Sequence, residues 1–230
     1  MGRRLSIAGL AAAAAVLSLA TPGDGAGQVP VAPYYLARGD PRLCPSPVCG
    51  GLFVHLVNRS RTICGDGLRR PSCYVAAADL GKLDVSDTQR AALRGSISAG
   101  RALIRGVLVR GRVPGFPQLD TLVASEVWLA SSSSRTPTGT FRRVRDNGMR
   151  CIAAPCFSTD ALVLNRTGKV SVSRVGLAGV GATTPERNRA LALIATGGLI
   201  TAGRVVVVPR AGPAGAGRVF VASQFYTRAA

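Results

Sequence analysis

Two short segments, each with two cysteines separated by four residues, constrain the fold of this chain more than any other feature. They are Cys44–Cys49 and Cys151–Cys156, and the second begins 107 residues after the first (151 − 44). Several flanking residues recur at the same spacing: Tyr34, Arg38, Asp40 and Asn58-Arg59 correspond to Phe141, Arg145, Asn147 and Asn165-Arg166. The sequence therefore predicts an internal duplication, with two tandem repeats.

Each copy has the same predicted order of elements. Residues 34–38, 51–57, 74–78, 102–110 and 119–130 are predicted strands in the first copy, as are the segments beginning at Phe141 and residues 160–164, 170–175, 204–210 and 218–227 in the second. Capping boxes, Ser86 with Gln89 and Thr183 with Glu186, predict helices at 87–97 and 184–195. The predicted class is α+β, mainly β, with about five antiparallel strands and one helix per copy. This order fits an OB-like barrel or an open sheet with a helix on its face.

The ends and the middle of the chain predict the domain boundaries. Arg3-Arg4, an apolar run and small residues before Ala20 predict a signal peptide at 1–20. Residues 21–33 are predicted to be a flexible tether, 34–130 repeat one, 131–139 a serine-rich linker, and 140–230 repeat two. The apolar run is shorter than the roughly 20 residues of a membrane span, so we expect no transmembrane segment and a secreted or periplasmic location.

Six cysteines in an exported chain favour disulfides. Repeat one carries an insertion at 64–73 that repeat two lacks, and this insertion contains both Cys64 and Cys73. The simplest pairing is therefore Cys64 with Cys73, Cys44 with Cys49, and Cys151 with Cys156. A zinc site built from four thiolates, with one cysteine loop from each repeat, is the alternative.

The charge balance suggests a class of partner. The chain has 29 basic and 11 acidic residues, with a formal net charge of +18. Such a charge attracts anionic envelope polymers or acidic proteins, although solubility and codon bias also explain it. Aromatic residues make up 5% of the chain, which is few for the stacking surfaces of nucleic-acid-binding proteins. We therefore do not expect nucleic acid to be a partner.

Few residues suit catalysis. His55 is the single histidine, and its counterpart in repeat two is Leu162. Glu126 corresponds to Gln224, so a carboxylate site would belong to repeat one alone. We predict no catalytic, metal or cofactor residues, and we keep a hydrolase with its site in repeat one as an alternative.

Two resemblances follow from the cysteine segments. The run Tyr34-Tyr-Leu-Ala-Arg-Gly-Asp40 with Cys44-Pro-Ser-Pro-Val-Cys49 resembles an uncharacterised family of exported bacterial proteins of myxobacterial type. The segment from Val144 to Cys156 resembles that family's second part, and the family implies no activity. Separately, Pro47-Val-Cys-Gly50 resembles the core of Kazal-type protease inhibitors, although the six-cysteine spacing of that fold is absent.

The sequence therefore predicts an exported, non-enzymatic binding or envelope-structural module whose ligand it does not identify. One alternative is a protease inhibitor that presents the Cys44–Cys49 loop. The other is the hydrolase of repeat one.

Overall fold

Fourteen strands and two α-helices make up the part of the chain that this computed structural model describes, residues 32–132 and 136–230. The predicted signal peptide at 1–20 lies outside the described residues, as do 21–31 of the tether and 133–135 of the linker. Residues 32–230 belong to one compact unit. No helix in the described ranges is long and apolar enough to cross a membrane.

The first half contains eight strands and one helix: β1 (Tyr34–Gly39), β2 (Leu52–Leu56), β3 (Thr62–Ile63), β4 (Arg69–Arg70), β5 (Cys73–Val75), β6 (Ala77–Asp79), α1 (Asp87–Ser98), β7 (Ala102–Arg110) and β8 (Asp120–Ala130). The second half contains six strands and one helix: β9 (Thr140–Asp146), β10 (Thr159–Val163), β11 (Lys169–Val172), β12 (Arg174–Gly176), α2 (Thr184–Thr196), β13 (Leu199–Gly212) and β14 (Gly215–Arg228). A short 3₁₀ helix, Ala178–Val180, precedes α2.

Twelve of these strands form one large, mainly antiparallel sheet. Its main path runs β11-β10-β9-β13-β14-β8-β7-β1-β2-β5, and β3 and β4 form a separate hairpin. The two halves meet where β8 pairs with β14. The sheet is not closed, so the open sheet is the better description of the two arrangements predicted from the sequence.

The strands pair in the same way within each half. In the first half, β1 pairs with β2 and β7, β2 with β5, and β7 with β8. In the second half, β9 pairs with β10 and β13, β10 with β11, and β13 with β14. Each long hairpin also has a register shift, before Gly106 and before Gly203. A Cβ at either glycine would lie within 2.3 Å of a carbonyl oxygen on the paired strand.

The structure corrects three details of the predicted elements. The third predicted strand of each half is broken in two, and the second pieces, β6 and β12, pair in parallel with β8 and β14. In the first half the break is at Ala76, whose N–H donates to the carbonyl oxygen of Asp120. β13 begins five residues earlier than predicted because it pairs with β9 from Leu199 onwards. The predicted loop at 211–217 is mostly strand, with only residues 213–214 between β13 and β14.

Both helices begin at the capping boxes that the sequence predicts. The Ser86 hydroxyl accepts from the Gln89 N–H, and the Gln89 side chain accepts from the Ser86 N–H; Thr183 and Glu186 make the same exchange. The helices differ in what they bury. α1 buries Leu93 and Ile97, whereas α2 buries only Ala190.

Three apolar cores hold the sheet together. One is built by the first half and one by the second. The third, here called the shared core, takes residues from both halves: Tyr34, Val57, Leu103, Trp128, Phe141, Leu164, Ile200, Ala202 and Tyr226. The shared core makes the packing of each half depend on the other.

A reciprocal exchange of hydrogen bonds borders the shared core. The Asn58 Nδ2 donates to the carbonyl oxygens of Phe141 (2.8 Å) and Leu164 (2.9 Å), and the Asn58 Oδ1 accepts from the Phe141 N–H (2.9 Å). Asn165 makes the equivalent three bonds to Tyr34 and Val57. Both asparagines have a positive φ, 59° and 56°, which asparagine tolerates better than most residues. Each asparagine therefore completes the backbone bonding of the other half.

We expect Asn58→Ala to lower the free energy of unfolding by roughly 2–4 kcal/mol, because it leaves buried backbone groups of the second half unpaired and strains a positive φ. Asn58→Gly loses the same bonds but avoids the strain, so it should cost about 1 kcal/mol less. Urea unfolding monitored by circular dichroism measures both. Asn188→Ala, at an exposed position of α2, is the control. A cost below about 0.5 kcal/mol for Asn58→Ala would contradict this account.

Candidate binding surface of the first half

Three side chains lie in register on the outer face of the first half. Arg38 of β1 is directly opposite Phe53 of β2, and Phe53 is directly opposite Tyr74 of β5. They point outwards because side chains alternate along a strand, and the neighbours Ala37, Val54 and Val75 are buried in the core of the first half. We call Arg38, Phe53 and Tyr74 the arginine–aromatic row.

Arg42 covers both rings of the row. Its guanidinium carbon lies 5.2 Å from the centre of the Phe53 ring and 4.9 Å from that of Tyr74, and the two rings meet edge to face at 5.8 Å. Arg42 also forms a bidentate pair with Asp40, with Nε 2.9 Å from Oδ1 and Nη2 2.8 Å from Oδ2. Hydrogen bonds from Arg42 hold the pKa of Asp40 below its ordinary value, so the pair stays charged at neutral pH.

The same residues fix the Cys44–Cys49 loop in place. The Tyr74 hydroxyl donates to the Pro47 carbonyl oxygen at 2.6 Å, and the Arg42 Nη2 donates to the Val48 carbonyl oxygen at 3.2 Å. Cys49 is 1% exposed, whereas Leu43, just before the loop, is fully exposed at 102%. The loop is therefore pinned to the sheet at one end and presents an apolar side chain at the other.

The corresponding face of the second half has a different chemistry. The row there consists of Arg145, Asp160 and Ser171, in the same register. Asp160 accepts from Asn147 (3.0 Å) and Ser171 (2.8 Å), and it pairs with Lys169 at 3.1 Å. These contacts, with the hydrogen bond from Asn147 first, lower the pKa of Asp160. A carboxylate thus faces Arg145, whereas Arg38 faces a ring.

Arg38 keeps its charge unpaired. Seven ion pairs join basic and acidic side chains within residues 32–132 and 136–230, and Arg38 takes part in none of them. Its charge nevertheless acts on its neighbours: burial, and then the charge of Arg38, lowers the pKa of His55. His55 is therefore neutral at neutral pH, on the same face of β2 as Phe53.

Glu126 lies on β8, opposite Arg105 of β7. Its carboxylate accepts from Arg105 (2.7 Å), the Trp128 indole N–H (2.9 Å) and the Tyr34 hydroxyl (3.5 Å). Burial alone raises the pKa of Glu126, but the hydrogen bonds from Trp128 and Arg105 outweigh it, and the pKa lies below its ordinary value. A carboxylate held as an anion in this way suits anchoring better than proton donation.

The cysteines form three local disulfides, Cys44–Cys49, Cys64–Cys73 and Cys151–Cys156, which is the simplest pairing that the sequence predicts. Cys64 and Cys73 are buried in the core of the first half. Since all six sulfurs are paired, the alternative zinc site has no thiolates.

A cleft of about 440 Å³ lies between the end of α2 and the β9–β10 pair, with Arg143 and Arg145 in its wall. Arg143 is already engaged: its Nη2 donates to the Gly197 carbonyl oxygen at 2.9 Å, and its guanidinium lies 5.6 Å from the centre of the Trp128 ring. The wall also contains the last residues of α2, and the C-terminal end of a helix disfavours anions. The arginine–aromatic row is the stronger candidate.

The model of the family described as Domain of unknown function (DUF6748) matches residues 33–230. The chain belongs to this family. No curated protein and no solved structure matches the sequence. Membership of DUF6748 agrees with the uncharacterised family expected from the cysteine segments, and its description assigns no activity. The function of this DUF6748 member therefore has to be argued from the geometry above.

We expect Tyr74→Phe to loosen the Cys44–Cys49 loop, because it removes the hydroxyl that holds Pro47. The lost hydrogen bond is worth about 1 kcal/mol, so trypsin should cut after Arg42 roughly fivefold faster under native conditions. Mass spectrometry of the digest measures the rate. Tyr35→Phe removes a hydroxyl from the core of the same half and should leave the rate unchanged. Equal rates for Tyr74→Phe and the unmodified protein would contradict the pinning.

Proposed function

We propose that this protein is an exported, non-enzymatic module that binds an anionic glycan of the bacterial envelope across the arginine–aromatic row. The observation that carries the proposal is the exposed, unpaired Arg38 in register with two aromatic rings. A charged group of the glycan would pair with Arg38, while the rigid ring edges and the neutral His55 contact the sugar.

The overall charge supports an anionic ligand. Basic residues exceed acidic ones, 29 to 11, and the seven ion pairs of the described ranges neutralise few of them. A positive field of this kind raises the local concentration of a polyanion and speeds its association. The arginine–aromatic row is the specific place at which the attracted polyanion would bind.

The strand order supports the same face. We infer that the halves are two tandem copies of one unit with an OB-type order. β5 and β6 are separated by one residue, and β6 pairs in parallel with β8. If β5 and β6 are counted together as one bent third strand, the strands of the first half pair in the order first, second, third, fifth, fourth. The helix then follows the third strand. OB folds bind oligosaccharides and oligonucleotides on the face of the second and third strands, which here carry Phe53, His55 and Tyr74. This support is an analogy at the level of fold.

The cysteines support export. Three disulfides are typical of a secreted or periplasmic protein, because the cytosol keeps thiols reduced. A secreted or periplasmic protein is in contact with the glycans of the envelope.

Binding to immobilised lipoteichoic acid and to heparin, measured by surface plasmon resonance, tests the proposal. We expect Arg38→Glu to weaken binding roughly tenfold or more, and added salt to weaken binding by the unmodified protein. Arg94→Glu makes the same change of charge at an exposed position of α1 and should weaken binding by no more than about twofold.

Equal losses for Arg38→Glu and Arg94→Glu would show that only the net charge matters and would contradict a site on the row. Tighter binding to single-stranded DNA than to either glycan would also contradict the proposal.

A second candidate function is protease inhibition by the Cys44–Cys49 loop, and one observation favours it. Leu43 is fully exposed beside a loop that the disulfide, Tyr74 and Arg42 hold rigid. A preorganised loop loses little entropy on entering a protease cleft. Stoichiometric inhibition of chymotrypsin- or elastase-type proteases that is lost in Leu43→Asp would support this function. Full protease activity in the presence of excess protein would reject it.

A further inference from the structure

A groove of about 500 Å³ lies in the second half, between one face of α2 and the end of β14. Ala190 and Leu193 of α2 line one side, and Phe225 and Thr227 of β14 line the other. Ala190 and Phe225 are buried, at 0% and 2% exposure, and form the floor of the groove. A volume of this size is typical of small-molecule sites, which occupy roughly 300–1,000 Å³.

The first half shows how the same place is filled with aliphatic groups. Leu93 of α1 corresponds to Ala190 (93 + 97), and Leu129 of β8 corresponds to Thr227 (129 + 98). Leu93 is 5% exposed in the core of the first half, and Leu129 packs against that core. The second half therefore replaces two leucines by smaller side chains at the positions that line its groove.

The two halves also differ in the residues that bond to the backbone of β8 and β14 near each helix. In the first half, Ala230 packs against the core, and its carbonyl oxygen accepts from the Val127 N–H at 2.8 Å. Phe225 is the counterpart of Val127, and its carbonyl oxygen accepts from the Ser131 N–H at 3.0 Å. The Ser131 N–H thus makes the bond that the Ala229 N–H makes to the Val127 carbonyl oxygen in the first half, so a serine lies beside the groove where the first half has an alanine.

Other features of α2 agree with an apolar ligand. Leu193, on the wall of the groove, is 37% exposed, so burying it against an aliphatic chain would be favourable. By contrast, α1 places serine at the corresponding position, Ser96. Leu193 therefore faces a space that the residues of the described ranges leave open.

The rim of the groove carries one available cation. Glu186 is engaged in the capping box, and the hydrogen bonds from Thr183 lower its pKa, so it stays charged. Arg189 lies one helical turn further on and forms no ion pair within the described ranges. Its charge helps to lower the pKa of Glu186, after the hydrogen bonds from Thr183. Its guanidinium can also pair with an acidic group at the mouth of the groove.

We propose that the groove between α2 and β14 binds an anionic amphiphile, with its aliphatic chain against Leu193 and Thr227, above the buried Ala190 and Phe225, and its acidic head at Arg189. This site is independent of the arginine–aromatic row, which belongs to the other half. The ligand class is a medium-chain carboxylic acid or an acidic lipid of similar width.

Titration calorimetry with dodecanoate, below its micelle concentration, tests the chain-binding part. The double variant Ala190→Leu with Thr227→Leu copies the first half into the second, so it should fill the groove and weaken dodecanoate binding roughly tenfold or more. The melting temperature checks that the double variant has folded, because Ala190 is fully buried and a larger side chain there has to displace its neighbours. Asn188→Leu adds a leucine at an exposed position of the same helix and should leave binding unchanged.

Binding of the acidic head group is tested by a separate experiment, which does not require the double variant to fold. The unmodified protein should bind dodecanoate more tightly than dodecanol, and dodecylammonium least. Arg189→Gln should remove the preference for dodecanoate over dodecanol while keeping the affinity for dodecanol.

Three outcomes would overturn the inference. They are no dodecanoate binding by the unmodified protein, undiminished binding by a folded double variant, and a preference for dodecanoate that persists in Arg189→Gln. Arg38→Glu should leave dodecanoate binding unchanged, so a failure of the glycan proposal and a failure of this one are distinguishable.

Discussion

The contact between the two halves is the constraint on which the rest of the structure depends. Each half contributes strands to one continuous sheet, yet neither satisfies its own backbone where they meet, because Asn58 bonds to the second half and Asn165 to the first. Apolar packing reinforces the exchange, with Trp128 and Tyr226 both nearly fully buried in the shared core. The two halves thus depend on each other, and a half on its own would expose both unpaired amides and large aromatic surface.

With the backbone held in this way, the outer faces are free to differ. The same three register positions carry a basic and aromatic set in the first half and a polar, acid-centred set in the second. The interiors differ too, since α1 fills the space beneath it with Leu93 and Ile97 while α2 buries only Ala190. One architecture therefore supports two chemically distinct surfaces, and each proposed site lies where one half departs from the other.

The sequence predicts much of the fold because the signals are local. Capping boxes fix where the helices begin, and the insertion at 64–73 together with the two similar cysteine loops predicts the simplest pairing of the cysteines. The breaks at Ala76 and before β12 are not predictable in the same way, since they depend on pairing with strands far along the chain.

The arginine–aromatic row was missed for a different reason. Comparing the two predicted repeats gives weight to what they share, and Phe53 and Tyr74 correspond to Asp160 and Ser171. Alternation in β2 and β5 was the available signal, since it places Phe53 and Tyr74 on one face. The stacking of Arg42 on both rings depends on a loop conformation that no local pattern encodes.

The packing of residues 229–230 bears on when the protein can fold. Ala230 accepts from the Val127 N–H, and the Ala229 N–H donates to the Val127 carbonyl oxygen, so the last strand of the first half gains a partner from beyond β14. A nascent chain that has emerged only as far as β8 lacks this partner, the asparagine from the other half and most of the shared core. The complete native structure of the first half therefore has to wait until synthesis has passed both halves.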